Sequence, residues 1–453
     1  MSTVFSFSQA QLAQVAQDAL KIANEVGCAQ AAVEVSEGSG LSVGVRKGAV
    51  DTLEHNRDKG ISLTVYVGKE GAFQRGSASS SDFSAAALAQ TVRAAYDIAR
   101  FTALDDCAGL PEPELLERKP EDLGLFTAWN ISSDEAIETA LRMERAAFAT
   151  DKHIKNTDGC GVYVSHGQFV LANSHGFCAG YPYSRHSLSI APIAHLGKQM
   201  QRDDWYVSER DPATLAKPEA VGRYAAQRTL ARLGARKLST RKCPVLFEAP
   251  LACGLVGAFT QATSGSALYR ESSFLLNKLG QRVFADHIDV HEDPHEPGAV
   301  GSSPFDDEGV RTTARDVVSG GVLNGYFLGS YSARKLKMQT TGNSGGSHNL
   351  YLKSRHTQPA DDFAAMLRKL GTGLLVTELL GQGVNYLTGD YSRGAAGFWV
   401  ENGRVAYPVE EVTIAGNLSQ MFAGIVAVGS DTLRRGTKTT GSILIDEMTV
   451  AGN

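Results

Sequence analysis

"AAVEVSEGSGLSVGVRKGAVDTLEHNRDKGISLTVYVGKEGAFQRGSA" runs from Ala31 to Ala78. Inside it, "AAVEVSE", "LSVGVRKG", "VDTLEHN", "GISLTVYVG" and "GAFQRGSA" alternate in part between apolar and polar residues and end on turn formers. A strand sends successive side chains to opposite faces, so this pattern describes strands with one face covered and the other wet. The short, turn-bounded runs predict an antiparallel meander.

Helical spacing surrounds it. Leu12, Val15, Ala16, Ala19, Ile22, Ala23 and Val26 recur at intervals of three and four, with Ser8 and Gln11 as a capping box in front and Gly27 as the stop. A second helix is read in "SDFSAAALAQTVRAAYDIARF", followed by the Pro- and Glu-rich "LPEPELLERKPEDLG" as a linker. A third helix opens on the capping box Ser132 and Glu135. Next come the hairpin-like "GVYVSHGQFVLANS" and "SRHSLSIAPIAHL" and the helix "EAVGRYAAQRTLARLG".

Near residue 236 the composition shifts. The basic connector "ARKLSTRKC" leads into the strand "PVLFEAP", and the chain then becomes rich in glycine and strands, with a hairpin in "FWVENGRVAYPV" turning on Asn402 and Gly403. Strands and helices come in groups and do not alternate, which predicts an α+β fold. Its N-terminal α/β part combines an antiparallel sheet with helices, and its C-terminal domain is strand-rich, either barrel-like or a sandwich. The expected divisions are 1–110, 111–236 and 237–453, the middle part packed on the first.

The 453 residues carry a formal net charge of −5, 43% hydrophobic and 21% charged residues, as an ordinary globular protein does. No basic field is offered to phosphate backbones, so nucleic acid is not an expected partner. Six scattered cysteines without a C-x-x-C pair fit a reducing compartment. "MSTVFSFSQAQLAQ" lacks the features of a signal peptide, and apolar stretches such as "MFAGIVAVG" are too short for a bilayer. The expectation is a cytoplasmic protein without a membrane partner.

Several motifs match catalytic patterns. "HEDPH", His291 to His295, fits H-E-x-x-H, whose histidines share a metal only on one face of a helix. Pro294 stands inside the window and would cost a helix about 3 kcal/mol, so the segment reads as a strand through Ile288 and Val290 passing into an exposed acidic loop. Gly342 to Gly346 fits G-x-S-x-G without the strand and helix of a nucleophile elbow. Ser332 to Lys335 fits S-x-x-K but reads as a basic helix end. "LGTGLLVTELLGQG" lacks the order of a dinucleotide site. Asp306, Asp307 and Glu308 could hold a hard cation or act as a base. The plainer reading gives Asp306 and Asp307 backbone donors in a tight turn before Gly309, with Arg334, Lys335 and Lys337 supplying ion pairs across the site.

"GSSPFDDEGVRTTARDVVSGGVLNGYFLGSYSARKLKMQTTGNSGG" and "GFWVENGRVAYPVEEVTIAGNL" resemble the TldD/PmbA family, on its PmbA or TldE side, and "VRKGAVDTLEHNRDKGISLTVYVGKEGAFQRGSAS" is similar to the family's first domain. TldD subunits of that family carry H-E-x-x-x-H on a helix and a cysteine close to the C-terminus. The corresponding stretch here is "LFEAPLACGLVGAF". Phe247 stands for the first histidine, Glu248 keeps the glutamate, and Ala252, or Cys253 with one residue inserted, replaces the second; no cysteine follows Cys253.

The resemblance implies a subunit without metal or catalytic residues of its own, in a complex whose TldD-like partner holds zinc. Such complexes cleave unstructured peptides in an enclosed chamber. The family has been linked to peptide maturation, antitoxin turnover and modulation of DNA gyrase. Asp306, Asp307, Glu308, Arg334 and Asn343 are the polar residues expected to line the chamber or its loops, and the isolated chain is open to homodimer formation. Two other readings stand beside this one: a protein-binding regulator acting on gyrase, and a stand-alone hydrolase using Ser344 with His348 or His356.

Overall fold

The computed structural model describes residues 4–452, and its meander is built from strands far longer than the sequence runs. β1 (Gln30–Arg46), β2 (Ala49–Lys69) and β3 (Ala72–Ser80) pair antiparallel in chain order. The five expected runs fuse into three strands because glycines between them do not turn the chain. Gly40 pairs with Asn56 in mid-strand, and a Cβ there would fall 2.3 Å from Asn56 Oδ1. Glycine here makes room for a cross-strand side chain.

The two hairpin-like stretches are corrected in the same way. Each lies within one strand, β4 (Ile154–Asn173) or β5 (Cys178–Leu196), and the two strands pair with each other. Gly167, read as a turn, sits under the Tyr183 ring. With β6 (Gln199–Arg202) and β7 (Trp205–Glu209) they complete one seven-stranded sheet of order β3-β2-β1-β4-β5-β6, β7 also pairing with β5.

Four helices cover one face of this sheet: α1 (Gln9–Glu25), α2 (Ala85–Arg100), α3 (Ser133–Phe148) and α4 (Pro218–Ala231). The capping boxes Ser8–Gln11 and Ser132–Glu135 both form. Along β1, Val33 and Val35 pack with Leu12, Ala16, Leu88 and Val92 of α1 and α2. Farther on, Val43 and Val45 pack with Met143 and Val221 of α3 and α4. All four valines have the same parity, so the opposite face of the sheet is left for the second half of the chain.

That half is strand-rich, and of the two forms expected it takes the barrel. Its strands are β8 (Arg241–Phe247), β9 (Ile288–Asp293), β10 (Arg315–Ser319), β11 (Val322–Leu323), β12 (Asn349–Ser354), β13 (Gly373–Leu380), β14 (Asp390–Glu401), β15 (Arg404–Asn417), β16 (Ile425–Val428), β17 (Leu433–Arg435), β18 (Lys438–Thr440) and β19 (Ile443–Ala451). The order β15-β14-β13-β8-β19 closes on itself through pairing of Thr413–Ala415 with Thr449–Ala451. β11-β10-β9-β12-β18-β17 form a second sheet. Val245, Phe247, Leu374, Val376, Ile443 and Ile445 join the main core, and the alternate residues Leu246, Leu375 and Leu444 face Met366 and Leu370 of the helix Phe363–Leu370. The turn at Asn402 and Gly403 has φ of 50° and 73°, as a type I′ hairpin requires.

The segment read as a linker is a strap pinned by buried leucines. Leu110, Leu116, Leu123 and Leu125 are each at most 5% exposed. Leu116 joins Leu171, Phe177 and Phe305 in a small core between the free face of the sheet and the C-terminal half. Phe305 lies 5.0 Å from the Phe177 ring and 5.6 Å from Tyr181. Phe305→Ala is expected to lower stability by about 3–5 kcal/mol in urea unfolding; a loss below about 1 kcal/mol would show that this contact does not hold the halves together.

Candidate functional site

β8 ends at Phe247, whose ring is fully buried in the main core, and the chain enters α5 (Ala249–Ala262) with Glu248 as its N-cap. The Glu248 side chain makes no capping bond. Its carboxylate instead accepts from Arg228 of α4, Nη1 to Oε1 at 2.6 Å and Nη2 to Oε2 at 3.1 Å. This two-pronged fit is the strong form of a charge-assisted hydrogen bond. Arg228 Nε also lies 3.3 Å from Asp203 Oδ2, and the guanidinium is 5.3 Å from the Trp205 ring centre. Burial alone would lower the pKa of Arg228; Glu248 and then Asp203 outweigh it and raise it. One turn on, Arg232 bonds to Glu378 of β13. Arg228 in the last turn of α4 and Arg232, its C-cap, four residues apart, thus both reach the barrel mouth.

A catalytic zinc takes three protein ligands and keeps one position open. The residues here do not fit it. Phe247 and Ala252 carry no ligand atom and are fully buried. Cys253 Sγ faces the carbonyl oxygens of Leu433 and Lys438, both at 3.5 Å, and burial pushes its thiol pKa up, away from the thiolate that binds metals. Glu248 is committed to Arg228. Among the described residues, Asp105, Asp106 and Cys107 do converge as a ligand group. Lys335 Nζ already supplies a cation there, 2.8 Å from Asp105 and 3.5 Å from Asp106.

The strand expected through Ile288 and Val290 is β9, which ends inside HEDPH at Asp293, and the two histidines go to different partners. His291 Nδ1 is 2.7 Å from Asp316 and His295 Nε2 is 3.0 Å from Thr312 Oγ1. The acidic stretch was expected to be exposed, and this is corrected for two of its acids: Glu292, near the end of β9, is 1% exposed and Asp306 in the loop beyond 3%, while Asp307 stays exposed. Glu292 accepts from Arg315 Nε at 2.8 Å, from Asn343 Nδ2 at 2.8 Å and from the His348 backbone N–H at 2.8 Å. Burial is tolerated because both carboxylate oxygens have donors, one of them charged.

Asp306 takes the turn role. Oδ1 accepts from the N–H groups of Glu308 and Val310, and Oδ2 from that of Ser344. Asp307 does not share that role: its carboxylate lies over Gly345 and lines a cleft of about 380 Å³ with Glu34, Tyr181, Tyr183 and Arg210. Glu308 accepts from the Ser330 N–H. Arg334 is displaced from this group. It donates to the carbonyls of Cys107, Gly109 and Leu110 and to Glu112, so the expected ion pair with Asp306–Glu308 is not made. Asp306 already has three backbone donors, whereas the strap leaves its carbonyls open to a guanidinium. Ser344 and His348 form no relay either, since His348 Nε2 bonds to the Gly342 carbonyl, and His356 stacks on His287.

Sequence reading missed Arg228, Glu34 and Arg210. The signal for Arg228 was present in "RTLAR", where two arginines lie four apart and the one acid of that helix, Glu219 in its first turn, is too far back to meet them.

Residues 31–99 match domain 1, residues 126–233 the central domain and residues 240–452 the C-terminal domain of the PmbA/TldA metallopeptidases. The chain belongs to the PmbA/TldD metallopeptidase family. It is 48% identical over 422 residues to the metalloprotease PmbA of Escherichia coli O157:H7, covering 93% of this chain and 92% of that one. A Bacteroides thetaiotaomicron crystal structure titled as a modulator of DNA gyrase superposes with a TM-score of 0.90 at 28% identity, covering 97% of this chain and 98% of that one. TldE from Thermococcus kodakarensis shares the fold, with a TM-score of 0.83 at 20% identity over 97% of this chain and 100% of that one.

The Asp306 carboxyl is pushed up to about 7 from 3.8, by burial first and by Glu308 second, against its three backbone donors. A raised folded-state pKa stabilises the fold fully below about pH 4, and this contribution is lost as pH rises toward 7. Thermal unfolding followed from pH 4 to 7.5 should therefore show a flatter stability profile for Asp306→Asn than for the native chain. Parallel profiles would mean that Asp306 does not titrate there.

Proposed function

We propose that this chain is the subunit without zinc of a two-component peptidase, acting on unstructured peptides together with a zinc-bearing, TldD-like member of the same family. The observation that carries this reading is the Arg228–Glu248 pair at the place where a metallopeptidase needs a ligand set. Without a metal-bound water, a glutamate has no acid of pKa near 7 to deprotonate. The role left to the chain is to cover the partner and build part of the chamber wall, with the Asp307 and Glu34 cleft as the polar surface offered to an extended peptide. Main-chain pairing to a strand edge suits cleavage that tolerates many sequences.

No helix among the described residues is long and apolar enough to cross a membrane. The six free thiols support a place in the cytoplasm. Purified alone, the chain is expected to cleave no unstructured peptide such as casein fragments; mixed with a zinc-bearing family member, it should raise the rate of that subunit. Turnover by the isolated chain, or no change in the partner's rate on mixing, would contradict the proposal.

A further inference from the structure

Beside the Arg228–Glu248 pair lies a cavity of about 590 Å³. The β17–β18 hairpin turns through Gly436, at φ +58°, and packs on α5, bringing Arg435 and Lys438 to the cavity wall. The Arg435 guanidinium is 4.4 Å from the ring centre of Trp205 and 4.1 Å from that of Tyr206, and Nη1 donates to the Tyr206 carbonyl at 3.2 Å. Lys438 Nζ donates to Thr437 Oγ1 at 3.0 Å.

These two cations differ from their neighbours. Arg228 is matched by Glu248 and Asp203, Arg232 by Glu378, and Arg434 by Glu296. Among the described residues, no carboxylate lies within 4.0 Å of Arg435 or Lys438. Both are partly buried, and burial lowers the pKa of each. Partly desolvated cations with most of their donors open are poised to accept an anion.

We propose that this cavity binds the free C-terminal carboxylate of an extended peptide. The guanidinium fork and the ammonium supply donors to the two carboxylate oxygens. Leu251 and Leu379, which also line the cavity, give the last side chain an apolar wall. The α5 face opposite admits a main chain: a Cβ built on Gly254 meets nothing within 4 Å, and one on Gly257 meets only Lys438 Cε at 3.9 Å. Asp203, Asp204 and Glu378 also line the cavity, so a single negative charge is tolerated where a doubly charged phosphate is repelled. The site is complete within this chain and stands independently of the proposed partner.

The test is calorimetric titration of the full chain with N-acetyl-alanyl-alanyl-leucine as the free acid and as the C-terminal amide, and with inorganic phosphate. The free acid is expected to bind at least about tenfold more tightly than the amide, and phosphate more weakly than the acid. Arg435→Gln and Lys438→Met should each abolish the preference for the acid, with unfolding temperatures near that of the native chain showing that both fold. Should either fail to fold, the comparison of acid with amide on the native chain decides alone. Equal binding of acid and amide, binding of neither, or tighter binding of phosphate would overturn the proposal.

Discussion

The two halves of the molecule meet where α4 drives a pair of arginines into the mouth of the barrel. Arg228 reaches the N-cap of α5 and Arg232 reaches β13, one helical turn apart. The side chains of Arg228 and Glu248 are each only 13% exposed, so their charges are strongly coupled and neither can be removed without stranding the other. That pair ties the helix-covered sheet to the barrel. It also determines what Glu248 can do, since both oxygens of its carboxylate are already engaged by a cation.

The rest of the architecture follows from parity. One face of the long sheet is used up by four helices, so the other must be covered by the C-terminal half, and aromatic residues of β4 and β5 meet Phe305 there. Around that contact the loop 293–309 cannot stay wet. Asp306 in it and Glu292 just before it are drawn inside and matched by backbone donors or by Arg315, while Asp307 stays exposed. The carboxylate left facing the cleft is Asp307, because Gly345 beneath it, at φ +94°, leaves no side chain to cover it.

Local chemistry was legible in the sequence. The capping boxes at Ser8 and Ser132, the Asn402–Gly403 turn and the end of the helix at Arg334 and Lys335 each depend on residues a few positions apart, and each is found in place. The α+β class was also readable, because grouped strands and helices leave a composition signature. Strand lengths were not. A glycine that turns the chain and a glycine that sits under Tyr183 look alike until the partner strand is known. The destination of Arg334 was unreadable for a related reason: apart from Glu112, its partners are backbone carbonyls about 225 positions away, which have no side-chain signature. The lack of ligand atoms at Phe247 and Ala252 was visible, but the counter-ion that occupies Glu248 comes from α4 and became apparent only in three dimensions.

The central claim, that Glu248 belongs to Arg228 and not to a metal, is tested most directly by calorimetric titration of zinc into the isolated, chelator-treated protein and into its Glu248→Gln variant. The account predicts no stoichiometric zinc binding that depends on Glu248, so the two titrations should be indistinguishable. One equivalent of zinc bound by the native chain and lost in Glu248→Gln would contradict it.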